Sequence, residues 1–308
     1  MYTYGYDEAD RLKTVTHKLN ALASVVILDN TYDDFGRLKT NKRNGAAALA
    51  DTYTYDIRSR ISRISGTQLT EDLTYSYGSN ISSMQWITDG KTRKYSYTYD
   101  GLSRLTAAAY TGAASAEKYA ASYSYDKNGN ILTLQRYGKT TASAYGLVDN
   151  LSLAYTGNQL TNVTDAGTAV TLAESNDFKK GSTANPGYAY DKNGNLTKDL
   201  NKKITAITYN ALSLPQSLTI DGVTHTYTYA ADGTKLRVKQ GSAERTYAGN
   251  FIYEGSSLKR ILIEGGYIEG STYYFYLTDH LGNTRTVANA GGSSVIRQVR
   301  MRIVGIIR

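Results

Sequence analysis

Along most of the chain tyrosines fall two residues apart with a small residue between them, as in Tyr4-Gly5-Tyr6, Tyr53-Thr54-Tyr55, Tyr123-Ser124-Tyr125 and Tyr188-Ala189-Tyr190. A spacing of two places both rings on one face of a strand and the intervening residues on the other, so Tyr123 and Tyr125 oppose Ser122 and Ser124. Asp126-Lys127-Asn128-Gly129 follows, and Ile131 opens a second apolar stretch. Asp bonds the backbone ahead of it, Gly takes positive φ and can form a bulge, and the string reads as strand, turn and return strand. The same turn chemistry recurs from Asp191 through Gly194 to Asn195, so Tyr190, Asp191 and Gly194 match Tyr125, Asp126 and Gly129. Helical periodicity is weak throughout.

The unit Tyr-x-Tyr-Asp, short turn, Arg/Asn-Leu/Ile repeats along the chain. Its second tyrosine is read at Tyr6, Tyr32, Tyr55, Tyr77, Tyr99, Tyr125, Tyr155, Tyr190, Tyr209 and Tyr229, a mean period of about 25 residues, within the range of stacked repeat architectures. The expected fold is all-β: tandem hairpins side by side in a long, twisted, curling antiparallel sheet, part of a shell-like wall. Rows of tyrosine are expected to pack by their rings with hydroxyls at water or backbone; an exposed aromatic platform for sugars or bases is the functional alternative. The repeated Asp is read as a turn former and not an acid catalyst. Arg11, Arg37, Arg60 and Arg104 are expected to pair with the Asp of a neighbouring repeat.

Composition narrows the classes. With Tyr 29 and Gly 28 against Phe 4, Trp 1 and Met 3, most large side chains carry a polar tip, which favours layered β-structure over a compact oily centre. The formal charge is +8, but Lys and Arg are dispersed, so nucleic acid is not an expected partner. Cys is 0, which removes disulfides and thiolate metal sites. No cofactor or metal is expected. No apolar run reaches the roughly 18 residues of a membrane span, and the opening MYTYGYDEAD starts inside a repeat without secretory features; the expectation is a piece of a longer protein.

After about residue 245 the grammar changes to an expected three or four longer strands, with Gly-rich turns at Glu254-Gly255, Glu264-Gly266 and Ala290-Gly292. Asp279-His280-Leu281-Gly282-Asn283 lies between the aromatic run ending at Thr278 and the strand Thr284–Val287, again a turn. Asp279 beside His280 invites a catalytic-dyad reading, but sequence neighbours on a strand point to opposite faces, and no enzyme is expected. Tyr-Asp repeats ending in a Tyr-rich strand and this turn resemble RHS/YD-repeat proteins, with Tyr273–Val287 similar to the opening of the RHS repeat-associated core domain. The resemblance implies residues 1–245 as hairpin repeats, 246–296 as the start of the core domain, and 297–308 as an atypical basic tail. It further implies a sheet that spirals into a hollow shell around a C-terminal effector, often a toxin, in secreted or cell-surface bacterial proteins. The expected partners are therefore flanking repeats or such an effector. A cell-surface glycan-binding or adhesion module is the alternative. The resemblance implies that the core continues into a Pro-Phe-Gly-containing stretch and then an Asp-Pro-containing segment at which many members cleave themselves; neither is present here, so self-cleavage is carried to no residue.

Overall fold

The computed structural model describes residues 1–181 and 187–297. Most of the expected basic tail, from residue 298 onward, lies outside the described residues. The chain forms two antiparallel sheets whose strand order is the order of the sequence, one of 14 strands from Tyr2–Tyr6 to Gln159–Asp165, the other of 13 from Tyr188–Tyr190 to Ser294–Arg297. Strict chain order follows from the repeat: each hairpin closes locally and its return strand pairs with the strand that follows. Thus Leu12–His17 pairs back to Tyr2–Tyr6 and forward to Val25–Tyr32.

The second tyrosine also sets the register. Pairing slips by one residue at Gly5/Tyr6, Thr31/Tyr32, Thr54/Tyr55, Ser124/Tyr125, Ala189/Tyr190 and Thr228/Tyr229. In the hairpin Ala121–Tyr125 with Ile131–Lys139, Ser124 faces Thr133 while Tyr125 faces Ile131, so the extra residue is Leu132 on the return strand. The bulge therefore falls after the return strand begins and not at the turn glycine. Such a bulge increases local twist.

Two compact units emerge, one of Met1–Tyr95 with the chain from Lys259 onward, the other of Ser96–Leu258. In the first, Val15, Ile27, Leu49, Ile263, Ile268, Tyr273, Phe275, Leu277 and Ala288 form one buried cluster. This corrects the expectation that a Tyr-rich chain would forgo an oily centre: aliphatic side chains from several strands, joined by Tyr273 and Phe275, come together in one. His17 is buried beside it, its Nδ1 2.9 Å from the Tyr273 hydroxyl. In the second unit Leu134, Val148, Leu151 and Val163 are buried, and Tyr110, Tyr119 and Tyr145 meet edge to face. Toward the C-terminus the strands are shorter and more numerous than expected: Phe251–Glu254, Ser257–Ile263, Gly266–Glu269, Thr272–Thr278 and Thr284–Asn289. Two-residue turns such as Gly255-Ser256 cut the run, and Gly266 opens a strand at a point where a Cβ would strike the Tyr274 carbonyl oxygen. Among the described residues no helix is long and apolar enough to cross a membrane.

Candidate functional site: the repeat junction and the Asp279–Asn283 turn

Each Tyr-Asp turn is built by one carboxylate. Asp126 Oδ1 accepts from the backbone N–H of Asn128 and of Asn130, both at 2.8 Å, while Oδ2 accepts from the Asn130 side chain. Asp191 repeats the arrangement with Asn193 and Asn195. Gly129 and Gly194 lie three residues after the first turn residue, at φ of 90° and 84°. That position takes positive φ in other repeats too, where Asp10, Ser59, Ser79, Ser103 and Ser213 occupy it. Glycine is thus one solution and not the requirement.

The repeated Arg does not behave as expected. Arg11, Arg37, Arg60 and Arg104 pair with the Asp of their own turn, four residues earlier, at 2.6–2.7 Å. A five-donor guanidinium four residues on reaches the Oδ2 that the turn leaves free. Its flat face is then available to the neighbour: Arg11 lies over the Tyr32 ring, Arg37 over Tyr55, Arg60 over Tyr75 and Arg104 over Tyr125, 4.0–4.7 Å from the ring centroids. The neighbour's tyrosine ring, and not its Asp carboxylate, is the partner these four share, and Arg104 also donates to the Asp126 backbone carbonyl at 2.8 Å.

That tyrosine makes a second bond across the junction. The hydroxyls of Tyr32, Tyr55, Tyr75 and Tyr125 donate to the carbonyls of Leu12, Leu38, Ile61 and Leu105, each at 2.7 Å. Each acceptor is the residue that opens the previous hairpin's return strand. Tyr190 and Tyr209 likewise donate to the carbonyls of Leu160, the second residue of its strand, and Leu196. Burial first, with smaller effects of nearby charges, raises the phenol pKa of Tyr55, Tyr75 and Tyr125. The junction also resets one phase: Tyr75 is the bonding tyrosine of its repeat, whereas Tyr77 stands at the turn tip, 94% exposed. Ser76 replaces the usual Asp, which hides the true phase from a Tyr-Asp reading.

The Asp279–Asn283 segment is the same turn with a different use. Asp279 Oδ1 accepts from the N–H of Leu281 and Asn283, Gly282 has φ 78°, and Leu281 projects 73% exposed. Asp279 Oδ2 is held by Arg285 and by the Asn283 side chain. Both carboxylate oxygens are committed to the turn, and His280 turns elsewhere. Its N–H donates to Glu71 Oε2 at 2.9 Å and its Nδ1 lies 2.9 Å from Glu71 Oε1. Glu71 is fully buried, in the strand Thr70–Tyr75. The Asp279-His280 dyad is replaced by a Glu71-His280 tie within the first unit. Glu71 was not singled out from the sequence, yet its strand carries the signal: Glu71 shares strand parity with core-facing Leu73, so a carboxylate on that face requires a partner.

In the second unit Asp149, Asp165 and Asp177 offer oxygens within 4.8 Å of one another. Arg136 pairs with Asp149 and Lys179 with Asp177, so protein cations already balance two of the three. Burial raises the Asp149 carboxyl, and the nearby Asp165 adds to this.

A family model described as Teneurin YD-shell matches residues 65–159. No curated protein sequence matches the chain. Among solved structures, the crystal structure of TcdB2-TccC3-Cdc42 superposes with a TM-score of 0.70 at 15% identity, covering 96% of this chain and 16% of that one. The Photorhabdus luminescens Tc holotoxin pore gives 0.68 at 16% identity, with 96% and 16% covered, and TcdB2-TccC3 gives 0.69 at 15%, with 96% and 17% covered. The likeness is one of fold, and this chain spans about one-sixth of the length of those chains. Stapled hairpins in sequence order define a shell-type β scaffold. Over nearly its whole length the chain has the fold of those shells, and residues 65–159 match the YD-shell family model.

Proposed function

We propose that the chain is a length of wall from a hollow, secreted or cell-surface shell that encloses or presents a C-terminal effector carried by a longer protein. The observation that carries this reading is the junction itself. The same tyrosine-to-carbonyl bond joins one hairpin to the next at Tyr32, Tyr55, Tyr75, Tyr125, Tyr190 and Tyr209, which cross-links successive hairpins laterally and leaves the turn tips for contact. A wall needs this lateral continuity more than it needs any reactive group, and its role is non-catalytic. In this reading residues 1–245 are repeat wall, 246–296 begin the core domain, and Asp279, His280, Leu281, Gly282 and Asn283 are structural.

The test is protease protection of the sequence that follows this chain in its full-length protein. Coexpressed in one polypeptide, that sequence resists digestion while the wall is folded and is cut when the wall is unfolded. Digestion at the rate of the free segment would contradict enclosure.

A second reading, a glycan-binding or adhesion module, is favoured by the large side chains at turn tips, Phe35 and Tyr77 among them. Aromatic faces suit sugar stacking. A glycan array separates the two: retention of a sugar that Tyr77→Ala abolishes supports adhesion, and no retention at millimolar sugar removes it.

A further inference from the structure

Asparagine is followed by glycine at Asn44-Gly45, Asn128-Gly129 and Asn193-Gly194. At such a step the glycine nitrogen, once hydroxide has taken its proton, attacks the asparagine Cγ, since no Cβ on the glycine bars the approach. The Cγ–Nδ2 bond breaks, the amide nitrogen takes a proton from water and leaves as ammonia, and a five-membered succinimide closes. Water then opens the ring at either carbonyl, giving aspartate or iso-aspartate.

Asn128 and Asn193 lie in the same pentapeptide, Asp-Lys-Asn-Gly-Asn, and in turns of the same build. Gly129 and Gly194 have φ of 90° and 84°, and their N–H groups donate to the Asp126 and Asp191 carbonyls at 3.2 and 3.1 Å. Both asparagines are exposed, and each gives its own N–H to the turn carboxylate, at 2.8 and 2.9 Å. Local geometry alone assigns them one rate.

The surroundings of the two turns differ. Asn128 Nδ2 donates to Asn158 Oδ1 at 3.2 Å and Asn130 Nδ2 reaches the same oxygen at 3.1 Å, so the tip of the next hairpin holds the turn. Asn44 is tethered as well, its Nδ2 donating to the Ala290 carbonyl at 2.9 Å. Among the described residues the Asn193 side chain has no partner, and Asn195 Nδ2 bonds Asp191 within its own turn. Cyclisation requires the asparagine to swing its Cγ onto the following nitrogen, and a tether holds it away.

We propose that Asn193 is a site of spontaneous, water-driven deamidation, selected over Asn44 and Asn128 by the tertiary tethers of those two. The iso-aspartyl product inserts a backbone carbon between Asp191 and Asn195. Asp191 Oδ1, which accepts from the N–H groups of both Asn193 and Asn195, then loses the spacing that lets it hold both. The modification loosens the turn between Tyr188–Tyr190 and Leu196–Asp199, the first hairpin of the 13-strand sheet, whatever the wall encloses.

The experiment ages the folded full chain at mildly alkaline pH. Conversion of each asparagine to the acid is read by peptide mass mapping, with an isoaspartyl methyltransferase marking the iso product. Asn193 is expected to convert at least about fivefold faster than Asn44 or Asn128, the worth of one hydrogen bond. Asn158→Ala, at an exposed tip position, is expected to bring Asn128 to within about twofold of Asn193 and to leave Asn193 at its own rate. In concentrated guanidinium chloride the rates of Asn128 and Asn193 converge. A folded chain in which either tethered asparagine keeps pace with Asn193 overturns the proposal. So does a difference between Asn128 and Asn193 that persists in denaturant, since it then belongs to sequence and not to the fold. An Asn128 that stays slow in Asn158→Ala overturns it too, because the tether is then not what protects it.

Discussion

Arg60 lies with its guanidinium carbon 4.0 Å from the centre of the Tyr75 ring while the same group holds Asp56 of its own turn. One side chain thus locks a turn and covers the neighbour's tyrosine. Lysine keeps the charge but neither the flat face nor the forked donors. Arg60→Lys is expected to destabilise the protein by about 0.5–1 kcal/mol through the stack alone, read as a lowered midpoint in urea with an unchanged slope. A midpoint equal to that of the unmodified chain would remove the stack from the account.

The turn carboxylates make an acid-sensitive device. The Asn130 side chain chiefly, then the N–H groups of Asn130 and Asn128, hold the Asp126 carboxyl below its ordinary 3.8. A carboxyl with a depressed folded pKa stabilises above its unfolded value, and that contribution is lost as pH falls through the folded pKa. Exchange at the Asn130 amide should therefore accelerate as pH drops below about 4, after correction for intrinsic rates. Asp126→Asn should keep the turn and abolish the step, since Asn210 already serves in this position with bonds from Leu212 and Leu214. A step that persists in Asp126→Asn belongs to another group.

Glu71 and His280 are 209 positions apart and share two bonds in a buried setting. Removing one member leaves the other without its partner, so Glu71→Ala and His280→Ala are each expected to cost about 3–5 kcal/mol. The double variant should cost much less than their sum, with a coupling energy of about 1–3 kcal/mol. Additive losses would mean that the two side chains stabilise the fold independently.

Tyr123 and Tyr125 differ by two positions and by one bond. Among the described residues the Tyr123 hydroxyl is buried without a partner, and burial chiefly pushes its pKa to about 12. A raised folded pKa means a contribution present below the ordinary 10.0 and lost as pH climbs through about 12. Alkaline titration followed by phenolate absorbance should show Tyr123 ionising late, together with unfolding. Tyr123→Phe should remove that component and leave neutral-pH stability unchanged or higher, since no bond is lost. A loss at neutral pH would reveal a partner for the hydroxyl.

The hairpins were legible because everything that makes one lies within about nine residues: two tyrosines of one parity, a carboxylate, a positive-φ position and a return residue. Where one of those signs was substituted, the reading slipped. Ser76 in place of Asp moved the apparent phase from Tyr75 to Tyr77, and both fit the same alternation. The Arg partners were misassigned because strand-ladder logic pairs opposite charges across neighbours, whereas the turn brings Arg60 back to Asp56 within its own repeat. The Glu71-His280 tie was beyond local grammar altogether. It is set by the three-dimensional path of the chain, and only the parity of Glu71 beside Leu73 hinted that a partner was needed.

Successive hairpins are joined through the second tyrosine. Tyr125→Phe deletes only the bond to the Leu105 carbonyl. Hydrogen exchange should then show protection falling together in Leu105–Thr111 and in Ala121–Tyr125, which pair at Ala107/Ser122 and Ala108/Ala121, by about 1 kcal/mol in each. Loss confined to the Ala121–Tyr125 hairpin, or no loss in either strand, would contradict a wall held together at its tyrosines.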